Sequence, residues 1–315
     1  MVGKIPSEAS LIFSYNHPIF RKVPWVVLVE WAHILVGRDL RYFDLFKPMV
    51  GRALASEYCR GIITWTGVAK KSILLNYDCA GFEDKIKVIP PAFCSKNYNR
   101  DYDRGRVRLL FVGSPDDPED FVMKGGREVL AVFYKLLAKY KDIELVIRAN
   151  VPDEIKKSIP PASNIKVIGD RLPQGAMAKL FEDADIYFHP SYKLQNTSIL
   201  EAMSYGLPVV TTDIGSSCGE YVVEGSTGFI VKNPRKVPFF IDNYILTSET
   251  IHRGWLVIDV DRRVVNDLVE RVGALVESPL MREMMGKAGK WEVDYGRFSI
   301  RRRNLLLRKV FDGAV

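Results

Sequence analysis

The stretch ADIYFHPSYKLQNTSILEAMSYGLPVVTTDIGSSCGEYVVEGSTGFIV, residues 184–231, decides the fold. Residues 184–189 form a short apolar run that stops at Pro190, as a buried strand does where its ladder ends. Residues 197–205 carry apolar side chains at helical spacing and close on Gly206, the residue type that accepts the left-handed turn after a helix. Residues 208–211 return to a strand, a loop rich in Gly and Ser follows from Asp213 to Gly219, and residues 227–231 read as one more strand. Such alternation belongs to a parallel sheet covered by helices on both faces.

The pattern extends outward in both directions. Upstream, RLLFV at residues 108–112 is a buried strand ending in Gly113. A helix of about four turns follows over 125–140, with Val129, Leu130, Phe133, Leu136 and Leu137 on one face. Residues 144–148 and 164–168 are further strands, and 176–182 a helix. Before residue 100 the alternation is briefer, with strands expected at 9–14, 25–29, 61–64 and 87–89 and a helix at 47–59. Residues 90–105, rich in Pro, Asn and Asp, read as an interdomain linker. Helices are expected at 264–277 and 279–295, then a basic one at 300–311. The expected organisation is a shortened domain over 1–97, a second domain over 98–295, and a C-terminal helix over 296–315 that packs back on the first.

Composition sets limits. The 315 residues are 47% hydrophobic and 26% charged, enough for two cores in a folded protein. The formal charge of +7, from 45 basic and 38 acidic residues, suits phosphate-bearing ligands or an anionic membrane surface. Cys59, Cys79, Cys94 and Cys218 lack CxxC or Cys/His spacing, so reduced thiols are expected and a metal site is not. There is no signal-peptide pattern, and the apolar run at 23–29 is too short to cross a bilayer, so the expected location is cytoplasmic or peripheral on a membrane.

In a doubly wound sheet, ligands sit at the carboxyl ends of the strands. Lys124 before the Gly125–Gly126 pair places an amine beside a helix start, a reasonable diphosphate site, although a solvated lysine has the same spelling. Glu201 lies about one turn inside the helix that opens at Thr197, where a carboxylate could accept two ribose hydroxyls or simply face solvent. No G-x-G-x-x-G follows any strand, which argues against a nicotinamide enzyme.

The run from Ser198 to Val231 closely resembles the nucleotide-sugar signature of family 4 glycosyltransferases: a Glu-Ala-Met helix, a Gly-x-Pro-Val strand, an Asp-x-Gly loop and a Gly-x-x-Gly turn, in that order. Lys124-Gly125 looks like that family's phosphate lysine, and Val88-Ile89-Pro90-Pro91 like its linker entry. The resemblance implies a GT-B fold of two Rossmann-like α/β domains with parallel sheets, the N-terminal one truncated. It implies transfer of a sugar from a nucleotide-diphosphate sugar to an acceptor hydroxyl, with retention, without metal or other cofactor. By it, Glu201 holds the ribose, Lys124 and Gly125 the diphosphate, and Asn196, Thr197 and Ser198 lie near the phosphates. The loop at 169–172, with Gly169 and Arg171, would read the base.

Three departures stand out. The family pairs two glutamates eight positions apart; here Lys193 occupies the first position, reversing its charge. Ser114 stands where the family often has arginine, and Arg148, where glycine is common, either supplies that charge, forms an ordinary salt bridge or points into solvent. The first domain enters near what would be its middle, so Glu30 falls where a cleft histidine is usual, with His33 and His17 nearby in sequence. Each of these three could serve catalysis or acceptor binding, and each could be structural. The expected acceptor is a saccharide or lipid-linked; the basic residues of that half suit an anionic or membrane-borne one or are simply a solvated surface, and an exposed sheet edge there suits a dimer or membrane contact. The rival reading is a nucleotide-sugar-binding subunit without turnover, completed by a partner chain; nucleic acid has only the charge in its favour.

Overall fold

The structure, a computed structural model, describes residues 9–37, 40–161, 164–192, 197–213, 218–234, 240–241, 245–246 and 260–314. The chain forms two compact units, Met1–Pro91 with Pro238–Ile251 and Arg301–Val315, and Ala92–Val237 with His252–Ile300.

The second unit is built on six parallel strands: β5 (Val107–Val112), β6 (Ile143–Arg148), β7 (Ile165–Ile168), β8 (Ile186–His189), β9 (Val209–Thr212) and β10 (Gly228–Val231). Their order across the sheet is β10-β9-β8-β5-β6-β7, so the chain starts in the middle, winds one way to β7, and restarts at β8 on the other side of β5. That is the doubly wound order, with its switch point between β5 and β8. The central strands are buried along their length because helices cover both faces, and a continuous apolar run such as RLLFV is what such a strand requires. On one face α4 (Gly126–Lys139) and α9 (Arg262–Glu277) pack with Leu109, Phe111, Phe133 and Leu268 in the core. On the other, α7 (Thr197–Ser204) contributes Ile199, Leu200 and Met203 beside Tyr187 and Phe181, the latter from α6 (Gln174–Asp183). The short helices α3 (Pro118–Met123), α5 (Asp153–Ser158) and α8 (Cys218–Tyr221) occupy connections between strands.

Helix α10 (Pro279–Asp294) packs against α7. The approach is close: a Cβ on Gly286 would lie 2.1 Å from the Gly206 carbonyl oxygen, and one on Gly206, at φ +73°, 2.8 Å from the Tyr102 hydroxyl. The segment read as a linker belongs to this unit from Ala92 onward. Its Arg100 is largely buried and donates to the carbonyls of Tyr205 at 2.9 Å and Phe181 at 2.6 Å, and also to that of Ala184. A guanidinium that satisfies several carbonyls fixes polar chain that composition alone would leave loose.

The first unit holds four parallel strands in the order β1-β2-β3-β4: β1 (Ile12–Tyr15), β2 (Trp25–Val29), β3 (Cys59–Thr64) and β4 (Ile86–Val88). β2 is buried throughout and β1 is an edge. Helix α1 (Phe43–Ala55) starts earlier than the sequence suggests and carries Pro48 in its interior. It ends before Cys59, which instead opens β3. Helix α2 (Gly67–Asn76) is capped by Thr66, whose hydroxyl accepts the Ala69 N–H at 3.1 Å. The basic helix α11 (Ile300–Asp312) packs Val310 over Gly61 of β3. Cys59 and Cys79 are buried free thiols, and burial pushes Cys59 up to about 12, so it stays an unreactive thiol near neutrality. No helix among the described residues is long and apolar enough to cross a membrane.

Candidate functional site

The switch point of the six-stranded sheet collects the chemistry of the second unit. After β5, Gly113 and Ser114 turn the chain, and α3 brings Asp120 back beneath them, where its carboxylate accepts the Ser114 N–H at 2.7 Å. Lys124 sits at the end of α3 with its ammonium 3.2 Å from the same Asp120 oxygen. Gly125 follows at φ +83°, and a Cβ there would lie 2.2 Å from the Pro190 carbonyl oxygen. Only glycine permits both the left-handed turn and the approach, so the sequence at 125 dictates how tightly the β5 loop seats against the end of β8. The Tyr192 N–H closes the contact on the Met123 carbonyl at 3.0 Å.

From β8 the chain enters α7. The Tyr187 hydroxyl donates to Ser198 Oγ at 2.8 Å, tying the strand to the first turn of the helix. Glu201, one turn in, is half-buried. Burial raises its pKa above the ordinary 4.5, against the opposing pull of Lys96 and Arg148. Among the described residues no hydrogen bond reaches its carboxylate; its main-chain carbonyl accepts from Ser204 at 2.6 Å. Arg148, at the end of β6, is half-buried and in no salt bridge among the described residues. Its Nη1 donates to the Gly113 carbonyl at 2.9 Å, its buried Nε finds no partner among them, and burial depresses its pKa. Arg171, after β7, is exposed and clamps Asp116 bidentately at 3.0 and 2.7 Å, linking the loops after β7 and β5. Gly169 is exposed in the same loop and Thr197 is exposed at the helix start. Lys193 and Asn196 lie outside the described residues.

Thus Lys124, Gly125, Ser198 and Glu201 gather around one strand junction, joined by Arg148 and by two groups the sequence reading did not single out. Asp120 was hidden because its role is to hold Lys124. Lys96 was hidden because its segment looked like linker. Asp-x-Asp triplets do occur at 101–103 and 183–185, but Asp101 caps its own turn, accepting the Asp103 N–H at 3.0 Å, and Asp185 is buried, accepting the Arg108 N–H at 2.8 Å.

In the first unit, Glu30 follows β2. Its carboxylate accepts the Tyr15 hydroxyl and the Asn16 amide, the latter at 3.2 Å, while its own N–H donates to Asn16 Oδ1 at 2.9 Å. Asn16 takes φ +60°, which asparagine tolerates, and so ties the end of β1 to that of β2. His33 is buried in the turn Ala32–Val36, which is bonded to α2 through the Ala32 N–H and Ser72 Oγ at 3.2 Å. His17 is exposed, and its carbonyl accepts the Ser14 hydroxyl.

Residues 106–243 match the family described as glycosyl transferases group 1. This segment belongs to that family. The match spans β5 to β10, so the junction built by Lys124, Gly125 and Glu201 lies inside the group 1 segment. No curated protein matches the chain. Solved structures match across nearly all of it and show a GT-B-like fold. A point mutant of TarM from S. aureus, in complex with fondaparinux, alpha-GlcNAc-glycerol and UDP, is 16% identical with a TM-score of 0.64, over 92% of this chain and 51% of its own. Sucrose-phosphate synthase from Thermosynechococcus elongatus is 14% identical with a TM-score of 0.66, over 96% of this chain and 73% of its own. Anabaena HepE in complex with UDP is 15% identical with a TM-score of 0.59, over 92% and 72%. The chain thus spans about half the length of the first of these.

Proposed function

We propose that the chain binds a nucleotide-diphosphate sugar at the β5/β8 junction and transfers its sugar to an acceptor hydroxyl without a metal, with retention of configuration. The observation that carries this is Glu201: a half-buried carboxylate, flanked by the charges of Lys96 and Arg148, that receives no hydrogen bond from the described residues. Burying an ionisable group costs free energy, and a vicinal diol of a ribose would supply the missing donors. Lys124 and the start of α7 would offset the charge that develops on the departing diphosphate. Asp120 already neutralises Lys124, so the diphosphate would share that ammonium with a buried carboxylate. Three similar structures, of TarM, of pneumococcal GtfA and of HepE, hold UDP, which supports a uridine diphosphate as first choice of donor nucleotide. In the first unit Glu30, His17 and His33 are the candidates for the acceptor side, with Glu30 the one that sits at a strand's carboxyl end.

A second reading has its own support. The chain spans only part of the structures it resembles, and one of them is a GtfA/B complex, so a binding subunit completed by a partner chain is the alternative. Thermal unfolding with UDP, GDP, ADP and their common sugars, on wild type and Glu201→Ala, tests the site. Stabilisation by one nucleotide class, lost in the variant, is expected. Lys124→Ala is the poorer probe, because it also takes the counter-charge from a buried Asp120 and so mixes a stability loss with any loss of binding. No shift with any nucleotide in a folded protein would sink the donor reading. Stabilisation without donor hydrolysis or transfer would favour the binding subunit.

A further inference from the structure

The first unit has a face that its own fold does not use. Helix α1 buries Phe43, Val50, Ala53 and Leu54 against the four-stranded sheet. Yet Tyr42, Leu45, Phe46 and Met49 remain 47%, 68%, 38% and 40% exposed. Their spacing of three and four puts them on a second apolar stripe alongside the buried one. Single exposed apolar residues are ordinary; three on successive turns of one helix, with Tyr42 just before its start, are a surface awaiting a partner. Arg41 stands one turn before Leu45 and Arg52 one turn after Met49, both exposed. The acid on this stretch, Asp44, is offset by Lys47 at 3.7 Å.

We propose that this face seats the protein on an anionic lipid bilayer, the apolar stripe entering the headgroup boundary and the arginines meeting lipid phosphates. An amphipathic surface helix with cations bordering its apolar face is the arrangement that lies in such an interface. A second copy of the chain is the poorer occupant. A two-fold contact would bring the same cationic border against itself, in a chain already carrying +7. Lipid binding does not depend on the donor site. It deepens the acceptor side of the proposed function, on which it rests only for the inference that the acceptor is lipid-borne.

Flotation of the full chain with vesicles of phosphatidylcholine, alone and with about one-third phosphatidylglycerol, at low and at about 0.15 M salt tests it. Binding to the anionic vesicles, several-fold weaker on neutral ones and reduced by salt, is expected. Leu45→Glu/Phe46→Glu should cut binding by about tenfold or more, since both anchors are replaced by charges the headgroups repel. Arg41→Glu/Arg52→Glu should abolish the preference for anionic lipid. All four positions are exposed, so unfolding temperatures should hold, and the nucleotide-induced shift, measured on the same samples, reports the donor site separately. Absence of vesicle binding by wild type, or binding untouched by both double variants, overturns the proposal. So does a wild-type dimer in sedimentation velocity that Leu45→Glu/Phe46→Glu converts to monomer.

Discussion

Two glutamates, one just after a strand and one a turn into a helix, meet opposite fates. Glu30, in the four-stranded unit, has both carboxylate oxygens engaged by Tyr15 and Asn16, and its own N–H closes the ring on Asn16. Glu201, in the six-stranded unit, is also half-buried and faces two cations, but no described residue donates to it. The first carboxylate stabilises the join between two strands. The second costs stability to keep ionised, and that cost makes sense where a ligand completes the shell. A buried charge without donors is therefore a better pointer to a site than a charged side chain that is already satisfied.

The largest effect should come from Gly125, which seats the loop beside Glu201. Gly125→Ala must relieve a 2.2 Å contact with the Pro190 carbonyl and a φ of +83°, and should destabilise the protein by about 2–4 kcal/mol. Denaturant unfolding measures it, and a loss below about 0.5 kcal/mol would show that this junction is not rigid.

Exchanging the two glutamates for alanine sharpens the contrast. Glu30→Ala should lose about 1–2 kcal/mol of stability and leave nucleotide stabilisation unchanged, because it strips two donors of their acceptor. Glu201→Ala should lose less than that, or gain, while nucleotide stabilisation disappears. Equal stability losses would dissolve the distinction.

The smallest effect is a slope with pH. The folded pKa of Glu201 lies above its ordinary 4.5, so over that interval the folded state binds more protons than the unfolded one. Its contribution to stability is therefore greatest below 4.5 and declines as pH rises through the folded value. Glu201→Gln should flatten that decline in unfolding curves taken between about pH 4 and 7; an unchanged profile would place the carboxylate in water.

Much of this was legible in the sequence, and the reasons differ by element. Strands β5 to β10 announce themselves because a strand buried on both faces must be a short apolar run, and Pro190 and Gly206 punctuate the junction. Lys124 and Glu201 were readable because each sits inside a local pattern. Arg148 facing Glu201 was not, since nothing local couples the end of β6 to a turn of α7. Lys96 was concealed by composition: its segment, full of Asn and Pro, is ordered by Arg100 bonding to distant carbonyls. Helix α2 was missed because its apolar stripe is interrupted by Lys70 and Lys71, although Thr66 spells its cap. Helix α1 was expected at 47–59 and runs instead from Phe43 to Ala55, continuing through Pro48, a residue that ordinarily breaks a helix interior.

The contact between Gly206 and Gly286 carries a consequence for how this sequence can drift. A side chain at 286 is barred by the Gly206 carbonyl oxygen at 2.1 Å, whereas one at 206 is opposed by its own φ of +73° and by the Tyr102 hydroxyl at 2.8 Å, so the two glycines are held for different reasons. Gly206 lies just past the end of α7, so the missing side chain at 286 is what lets α10 come this close to that helix end. Exposed positions of α10 are free to drift, but a single methyl at 286 would have to push α10 away from α7.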